Sequence, residues 1–472
     1  MARRLHDPYG DAVTDINSAD IRIARDRAQA ANDAPRVSLR TSDASDAEIT
    51  ATVLNAVDNQ LENAIELLGH LVAIPSMGGT EAEAEIQHVL AEILHSDGFD
   101  VDLWSMDLGE LTSRRDFPGM EVDRREAFGL LATLPGHAPE LGLSLLVDGH
   151  VDVVPPGDLS AWTSDPFTLR RDERNGVDTL FGRGTCDMKG GLVASIMAAR
   201  ALQTVGVKLA GSLLIAPVIG EEDGGLGTYE LMRRGVAADA CVIPEPTDLD
   251  IIPANGGALT FRLYVPGQAI HASRRTEGVS AISKFASILP ALEALESRRN
   301  ADVDPLMSRW PIAYPLSIGT VHAGDWASTV PDLLIAEGRF GIALGENPVT
   351  ARAELEAAID EINAGDEFLS RNPIKVEWWG GQFQSGRSEN DYLIDLTRRA
   401  HFAAAPGRRH QQVYGAPYGS DLRFISPTMP VLQYGPGDAG AAHAPDEFIE
   451  VESLQTSMRT MALMYLEHCH IL

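Results

Sequence analysis

The chain is poor in cysteine, in lysine and in long apolar runs, and each shortage excludes something. There are three cysteines, Cys186, Cys241 and Cys469, far apart and without a CxxC pair. That excludes a disulfide framework and fits a reducing cytoplasm. Lysine occurs only at Lys189, Lys208, Lys284 and Lys375, so nearly all positive charge is arginine, which reads as compositional bias. Basic residues number 38 against 68 acidic, a net charge of −30. A broad nucleic-acid or anionic-membrane surface is thereby disfavoured, although a local basic pocket is not. No run of about 18 apolar residues exists to span a bilayer. The start, Met1-Ala2-Arg3-Arg4-Leu5-His6-Asp7, has no apolar stretch behind it and does not read as a signal peptide. What is present is ordinary for a globular protein: 472 residues, 44% hydrophobic and 22% charged, enough for two or more domains.

The order of patterns predicts an α/β fold. Residues 1–46 read as an N-terminal extension rich in Asp, Ala and Arg. Apolar residues at helical spacing predict one helix from Asp46 to about His70 and a second from Thr80 to His95. Residues 105–127 read as a loop. Strand and helix then alternate: Leu143–Val147, Gly190–Thr204, Ser212–Ile219, Leu226–Arg234 and Ala240–Ile243. Such alternation predicts a doubly wound, mostly parallel sheet with helices on both faces. Near Gly257 the texture changes. Strands over Leu259–Val265, Leu316–Val321 and Leu333–Ile342, with helices over Val279–Arg298 and Thr350–Asn363, predict an inserted α+β domain. The expected boundaries are 1–46, 47–256, 257–373 and 374–472, with a closing helix from Val451 to about His468.

Candidate chemistry gathers where strands end. Leu143–Val147 runs into Asp148-Gly149-His150-Val151-Asp152. In an extended segment His150 and Asp152 point the same way. One can ligate a metal while the other orients it, or the pair is a polar turn. Ile219-Gly220-Glu221-Glu222-Asp223 closes a second strand. Three adjacent acids repel, so a positive group should offset them unless the loop is simply solvated. Glu245 is held between Pro244 and Pro246 after a third strand. His443 lies in a Gly-rich loop, where a surface residue is the bland reading. Together, His150, Asp187, Glu221, Glu222 and Glu245 follow predicted parallel strands or enter a helix, and open α/β sheets place their sites outside the carboxyl ends of strands. Two histidines and three carboxylates suit two divalent cations with one carboxylate bridging. A further carboxylate beside the water would serve as general base.

These segments resemble the metal-dependent amidohydrolases that include acetylornithine deacetylase, succinyl-diaminopimelate desuccinylase, aminoacylase and glutamate carboxypeptidase. The resemblance covers about residues 55–470. It rests on His150-Val151-Asp152-Val153-Val154-Pro155, Gly182-Arg183-Gly184-Thr185-Cys186-Asp187-Met188-Lys189-Gly190-Gly191, Glu221-Glu222-Asp223-Gly224-Gly225, Glu245-Pro246-Thr247, Gly267-Gln268-Ala269-Ile270-His271-Ala272-Ser273 and the His443 loop. It implies two Zn²⁺ ions, with Co²⁺ or Mn²⁺ able to substitute. Asp187 would bridge them, His150 and Glu245 would complete one, and Glu222 and His443 the other. Asp152 would orient His150. Glu221 would take a proton from the attacking water and return it to the leaving amine. His271, on the inserted domain, would stabilise the oxyanion, reaching a partner subunit's site in a homodimer built through that domain. Arg183 and Lys189 read as structural.

Substrate contacts implied by the resemblance are Arg339, Arg423 and Thr329. Thr329 stands where many relatives carry Asn, which puts one amide contact in doubt. Trp162 and Asp165-Pro166-Phe167 read equally as pocket mouth or packing. The expected substrate is an N-acyl amino acid or short peptide, with Leu226-Gly227-Thr228, Glu245-Pro246-Thr247 and Tyr434-Gly435-Pro436-Gly437 favouring an acetylornithine deacetylase-like enzyme. A dipeptidase or carboxypeptidase is the first alternative. A binding protein that has lost turnover is the second, and a two-metal phosphoesterase a weaker third.

Overall fold

A computed structural model describes residues 46–388 and 390–472. The expected extension over 1–46 lies outside these residues, save its last. The large sheet has nine strands. From one edge they are Asp100–Ser105, Phe128–Leu134, Leu213–Val218, Leu145–His150, Ala240–Ile243, Val431–Gln433, Ile251–Asn255 and Gly386–Arg387, with Val413–Ala416 also paired to Ile251–Asn255. The centre, from Leu213–Val218 through Val431–Gln433, is parallel. The flanks mix in antiparallel pairs.

Strand alternation divides the central side chains between two cores. Leu145, Val147, Ile215 and Val242 face one cluster with the long helices Gly190–Thr204 and Val451–Cys469. Leu146, Ala216, Cys241 and Ile243 face another, closed by Leu231, Leu422 and Ile425. The sheet is therefore covered on both faces, as the near-continuous apolar strands require.

The smaller sheet has four strands in the order Leu316–Ala323, Leu333–Ile342, Gly257–Pro266 and Lys375–Phe383, all antiparallel. Phe261, Leu263, Ala336 and Phe340 pack with Ile288 and Leu292 of the helix Ala281–Arg299 and with Leu355 and Ile359 of Pro348–Gly365. Lys375–Phe383 belongs to this sheet, so the small unit continues past the boundary expected at 373.

Two further differences have local causes. The first expected helix is two, Asp46–Asn59 and Leu61–Val72, meeting at Gln60. Asp58, next to the break, accepts from Arg459 Nε at 2.7 Å and from Gln455 at 2.8 Å, so the final helix anchors the corner. The loop 105–127 contains a short helix, Leu108–Thr112, capped by Asp107.

Candidate metal centre and active site

The parallel strands deliver their carboxyl ends to one edge. His150 is the last residue of its strand; Glu221-Glu222 and Glu245 each follow one of its parallel neighbours, and the His443 loop follows Val431–Gln433, the next parallel strand. Asp187 arrives from an irregular turn over Thr185–Lys189, immediately before the helix Gly190–Thr204; the Asp187–Met188 peptide is cis. Gly191 lets the helix start close on the Glu245 segment: a Cβ there would lie 1.9 Å from the Pro244 carbonyl oxygen.

Asp187 is the centre. Its Oδ1 lies 3.0 Å from His150 Nε2, and its Oδ2 lies 3.5 Å from His443 Nε2. The same His443 nitrogen is 3.1 Å from Glu222 Oε1. Ligand atoms of His150, Asp187 and Glu222 all fall within 4.8 Å of one another. Burial alone would raise the Asp187 carboxyl, but the two imidazoles hold it below the usual carboxylate range. In return, hydrogen bonding by Asp187 and then by Glu222 lifts His443 to about 11. Burial opposes the charge on His150, yet Asp187 and Asp152 raise it. The donor set is two imidazoles facing opposite oxygens of one carboxylate, with further carboxylates behind. That chemistry fits two divalent ions.

Supporting contacts orient these groups. His150 Nδ1 lies 3.0 Å from the Asp152 carbonyl and 3.7 Å from Asp152 Oδ1. The Asp152 carboxylate accepts the backbone N–H groups of Glu221 at 3.3 Å and Glu222 at 3.1 Å. It therefore joins the first imidazole to the acidic loop. Burial pushes Asp152 up to about 7. Glu221 is buried, and burial followed by the charges of Asp421, Glu245 and Glu222 pushes its carboxyl well above the carboxylate range. Glu245 is shifted the same way, by burial and then Asp187.

The positive offset demanded by three adjacent acids is Arg124. Its guanidinium donates to both oxygens of Asp223 at 2.8 Å, and to Glu83 Oε2 and Oε1 at 2.8 Å. The pairing was not legible, because its members come from three separate segments. Glu447 was missed for the same reason. It accepts the N–H groups of Cys186 at 2.9 Å and Asp187 at 3.0 Å, and binds Arg183 Nη1 at 2.7 Å. Asp421 was missed too: Thr228 Oγ1 lies 2.7 Å from Asp421 Oδ2 and 3.1 Å from both oxygens of Asp148. Lys189 donates to the carbonyls of Leu71 and Ile74 and, with Arg183, is structural.

The residues expected to meet substrate have partners of their own. His271 is exposed on the small unit and its Nδ1 meets Ser273 Oγ at 2.8 Å. Thr329, also exposed, bridges to it as a β-pair. Arg339 is paired with Glu121 at 3.0 Å, beside Phe383. Arg423, expected to contact substrate, has partners within the chain. It is buried, donates to the carbonyls of Ser420 at 3.0 Å and Gly224 at 2.7 Å, and stacks on Phe383 and Phe424. Its guanidinium thereby braces the loop carrying Glu221. Trp162 packs under Arg183 and donates to the Pro156 carbonyl at 2.9 Å, which favours the packing reading.

A doubly covered α/β sheet with a carboxylate–histidine cluster at its strand ends, and a small α+β unit inserted in the chain, is the scaffold of a metal-dependent hydrolase. The chain belongs to peptidase family M20/M25/M40, whose model matches residues 146–467. It is 27% identical over 425 residues to N-formyl-4-amino-5-aminomethyl-2-methylpyrimidine deformylase of Bacillus subtilis, covering 84% of this chain and 92% of that protein. It is 28% identical over 421 residues to acetylornithine deacetylase of Proteus mirabilis, covering 87% and 98%. Among solved structures, the di-peptidase Dug1p of Saccharomyces cerevisiae matches with a TM-score of 0.71 at 17% identity, over 89% of this chain and 98% of that one. The YXEP protein of Bacillus subtilis, described as a dinuclear metal-binding peptidase of the M20 family, matches at 0.55 and 16% identity, over 88% and 98%. The chain is thus a family hydrolase of amide or peptide bonds.

Proposed function

We propose that the chain is a two-metal amidohydrolase that removes a small acyl group from an N-acylated amine, foremost an N-acyl amino acid. The observation that carries this reading is Asp187, whose two carboxylate oxygens face different imidazoles, His150 and His443, as a carboxylate shared by two ions would. His150 and Glu245 would hold one ion, and Glu222 and His443 the other. Zn²⁺ is the expected metal, with Co²⁺ or Mn²⁺ able to replace it. When bound, such a pair lowers the pKa of water and polarises a carbonyl.

The remaining chemistry belongs to the chain. Glu221 sits beside Glu222 in a buried loop, with a carboxyl shifted upward by burial. A carboxylate at this position can take a proton from the attacking water and give it to the departing nitrogen. Asp152 positions His150 and the Glu221-Glu222 backbone together. His271 and Thr329 would meet substrate from the small unit, and Arg339 would bind a substrate carboxylate on leaving Glu121. The exposed edge strand Leu316–Ala323, with Val321 and the nearby Trp326 exposed, supports a homodimer through that unit. Three buried free thiols fit a reducing cytoplasm.

A small-acyl substrate is supported by the deformylase and the acetylornithine deacetylase, each similar over most of its length. The test is amine release from N-formyl and N-acetyl amino acids beside free dipeptides. Release from the acylated amines is the expected result. Release from dipeptides alone would move the assignment to a peptidase.

A further inference from the structure

The two proposed ion positions are held unequally. His150 ends a strand of the central sheet, and its Nδ1 lies 3.0 Å from the Asp152 carbonyl. Glu245 is buried, with a proline on either side. His443 has no such footing. It lies between the helical turn Ala439–Ala441 and the strand Phe448–Glu450. Its side chain is exposed, and among the described residues its ring meets no polar partner but Asp187 and Glu222. His443 and Asp446 both have left-handed backbone, with φ of 60° and 53°. Residues other than glycine keep that conformation where the surroundings enforce it.

Glu447 connects this loop to Asp187. It is buried, four residues after His443. Its Oε1 accepts the N–H groups of Cys186 at 2.9 Å and Asp187 at 3.0 Å, while Oε2 pairs with Arg183 Nη1 at 2.7 Å. Its carbonyl accepts the N–H of Gly182 at 2.9 Å. The turn Thr185–Lys189 departs from helical dihedrals at Asp187 and Met188, and Glu447 supplies an acceptor from outside it. Asp446 anchors the outer side of the loop, accepting the N–H of Thr163 at 2.9 Å. The Asp187 backbone and the His443 loop are thus joined through one residue, and across that junction Asp187 Oδ2 and His443 Nε2 stand 3.5 Å apart.

We propose that Glu447 is a positioning residue that sets the spacing of Asp187 and His443, and with it the affinity of the site for its second ion. The inference rests on the two-metal reading above. Glu447 is not among the proposed ligands; it acts through the backbone of one of them and the loop of another. Partners that orient ligands in this way are worth roughly 10–100-fold in metal affinity.

The test strips the full-length chain with chelator and titrates it with Co²⁺, following visible absorption bands that report the ligands around each ion. Two paired variants, both lacking the ion pair, separate the acceptor from the charge. Glu447→Gln with Arg183→Met keeps an oxygen for the two N–H groups, and Glu447→Met with Arg183→Met removes it. The unmodified chain and the Gln variant are expected to take up two ions with similar affinities. The Met variant is expected to bind its first ion as they do and its second roughly 10–100-fold more weakly. Equal second affinities in the paired variants, or equal weakening of both ions, would overturn the positioning role. If the Met variant does not fold, Glu447→Asp replaces it: the charge stays for Arg183 while the acceptor withdraws by one methylene. Selective weakening of the second ion is expected there too, and an unchanged second ion would overturn the proposal. Fewer than two ions in the unmodified chain would overturn the two-metal reading and the proposal with it. Selective loss of the second ion, in a chain that releases amine from no acylated amine, would uphold Glu447 and count against the deacylase reading.

Discussion

Thr228 places two buried acids on one hydroxyl. A single hydroxyl proton cannot serve both Asp148 and Asp421, so one carboxyl must keep its own; burial, followed by the charge of Asp421, pushes Asp148 well above the carboxylate range. Thr228→Val removes the shared group and leaves the pair facing each other. It is expected to cost roughly 2–3 kcal/mol of stability, the penalty of unsatisfied buried polar groups, measurable by urea unfolding. Glu221→Gln makes a different prediction. Gln keeps the shape but takes no proton, so metal content should be unchanged while kcat falls by about a thousandfold or more. Near-normal turnover would remove Glu221 from the role of base. At this scale the sequence was informative wherever a residue followed a strand: His150, Glu221, Glu222 and Glu245 could be named because one topological rule locates strand ends. Arg124 and Glu447 could not, since their roles depend on partners brought together only by folding.

The acidic loop Glu221–Gly225 shows how elements share the work of holding the site. Arg124 clamps it to Glu83 of the helix Glu81–Ser96, Asp152 takes its first two N–H groups, and Arg423 takes the Gly224 carbonyl. Arg124→Met should leave Glu83 and Asp223 buried without a counter-charge. Breaking a buried pair this way costs roughly 3–5 kcal/mol, so the denaturant midpoint should fall clearly. Arg371→Met, which loses only an exposed pair with Glu367, should leave it unmoved. Equal midpoints for the two variants would show that the clamp is dispensable. Elements with strong periodicity were legible. Gly190–Thr204, Ala240–Ile243 and Leu333–Ile342 form where the pattern places them. The hairpin Arg170–Arg174 with Val177–Phe181 was not, because its first strand is charged and largely exposed and carries no apolar alternation.

Across the whole molecule, the last helix ties the sheet to its covering layer. His468 near its end is buried, with Nε2 3.0 Å from the Ser144 carbonyl and Nδ1 3.3 Å from the Tyr392 hydroxyl. Burial lowers its pKa from 6.5 to about 4. The neutral ring is the folded form, so its stabilisation is fully present above pH 6.5. It is lost as acid protonates the unfolded chain first and the folded chain only near pH 4. The shift corresponds to about 3 kcal/mol at most. Melting temperatures from pH 7 to 4 should therefore fall, and less steeply in His468→Gln. Identical slopes would mean that the ring is not held neutral. At this scale the sequence conveyed the class and the inserted unit. It did not convey that the sheet turns antiparallel at its flanks, since short flanking strands look alike in either direction.

Two metals acting in one site are the centre of the proposed chemistry. The most direct test strips the chain with chelator and then adds Zn²⁺ stepwise, following bound metal and amine release from an N-acetylated or N-formylated amino acid. The stripped chain is expected to release no amine, to take up two ions, and to reach full activity only as both sites fill. Release that persists without metal, or saturates with none bound at His150, Asp187 and Glu222, would contradict it.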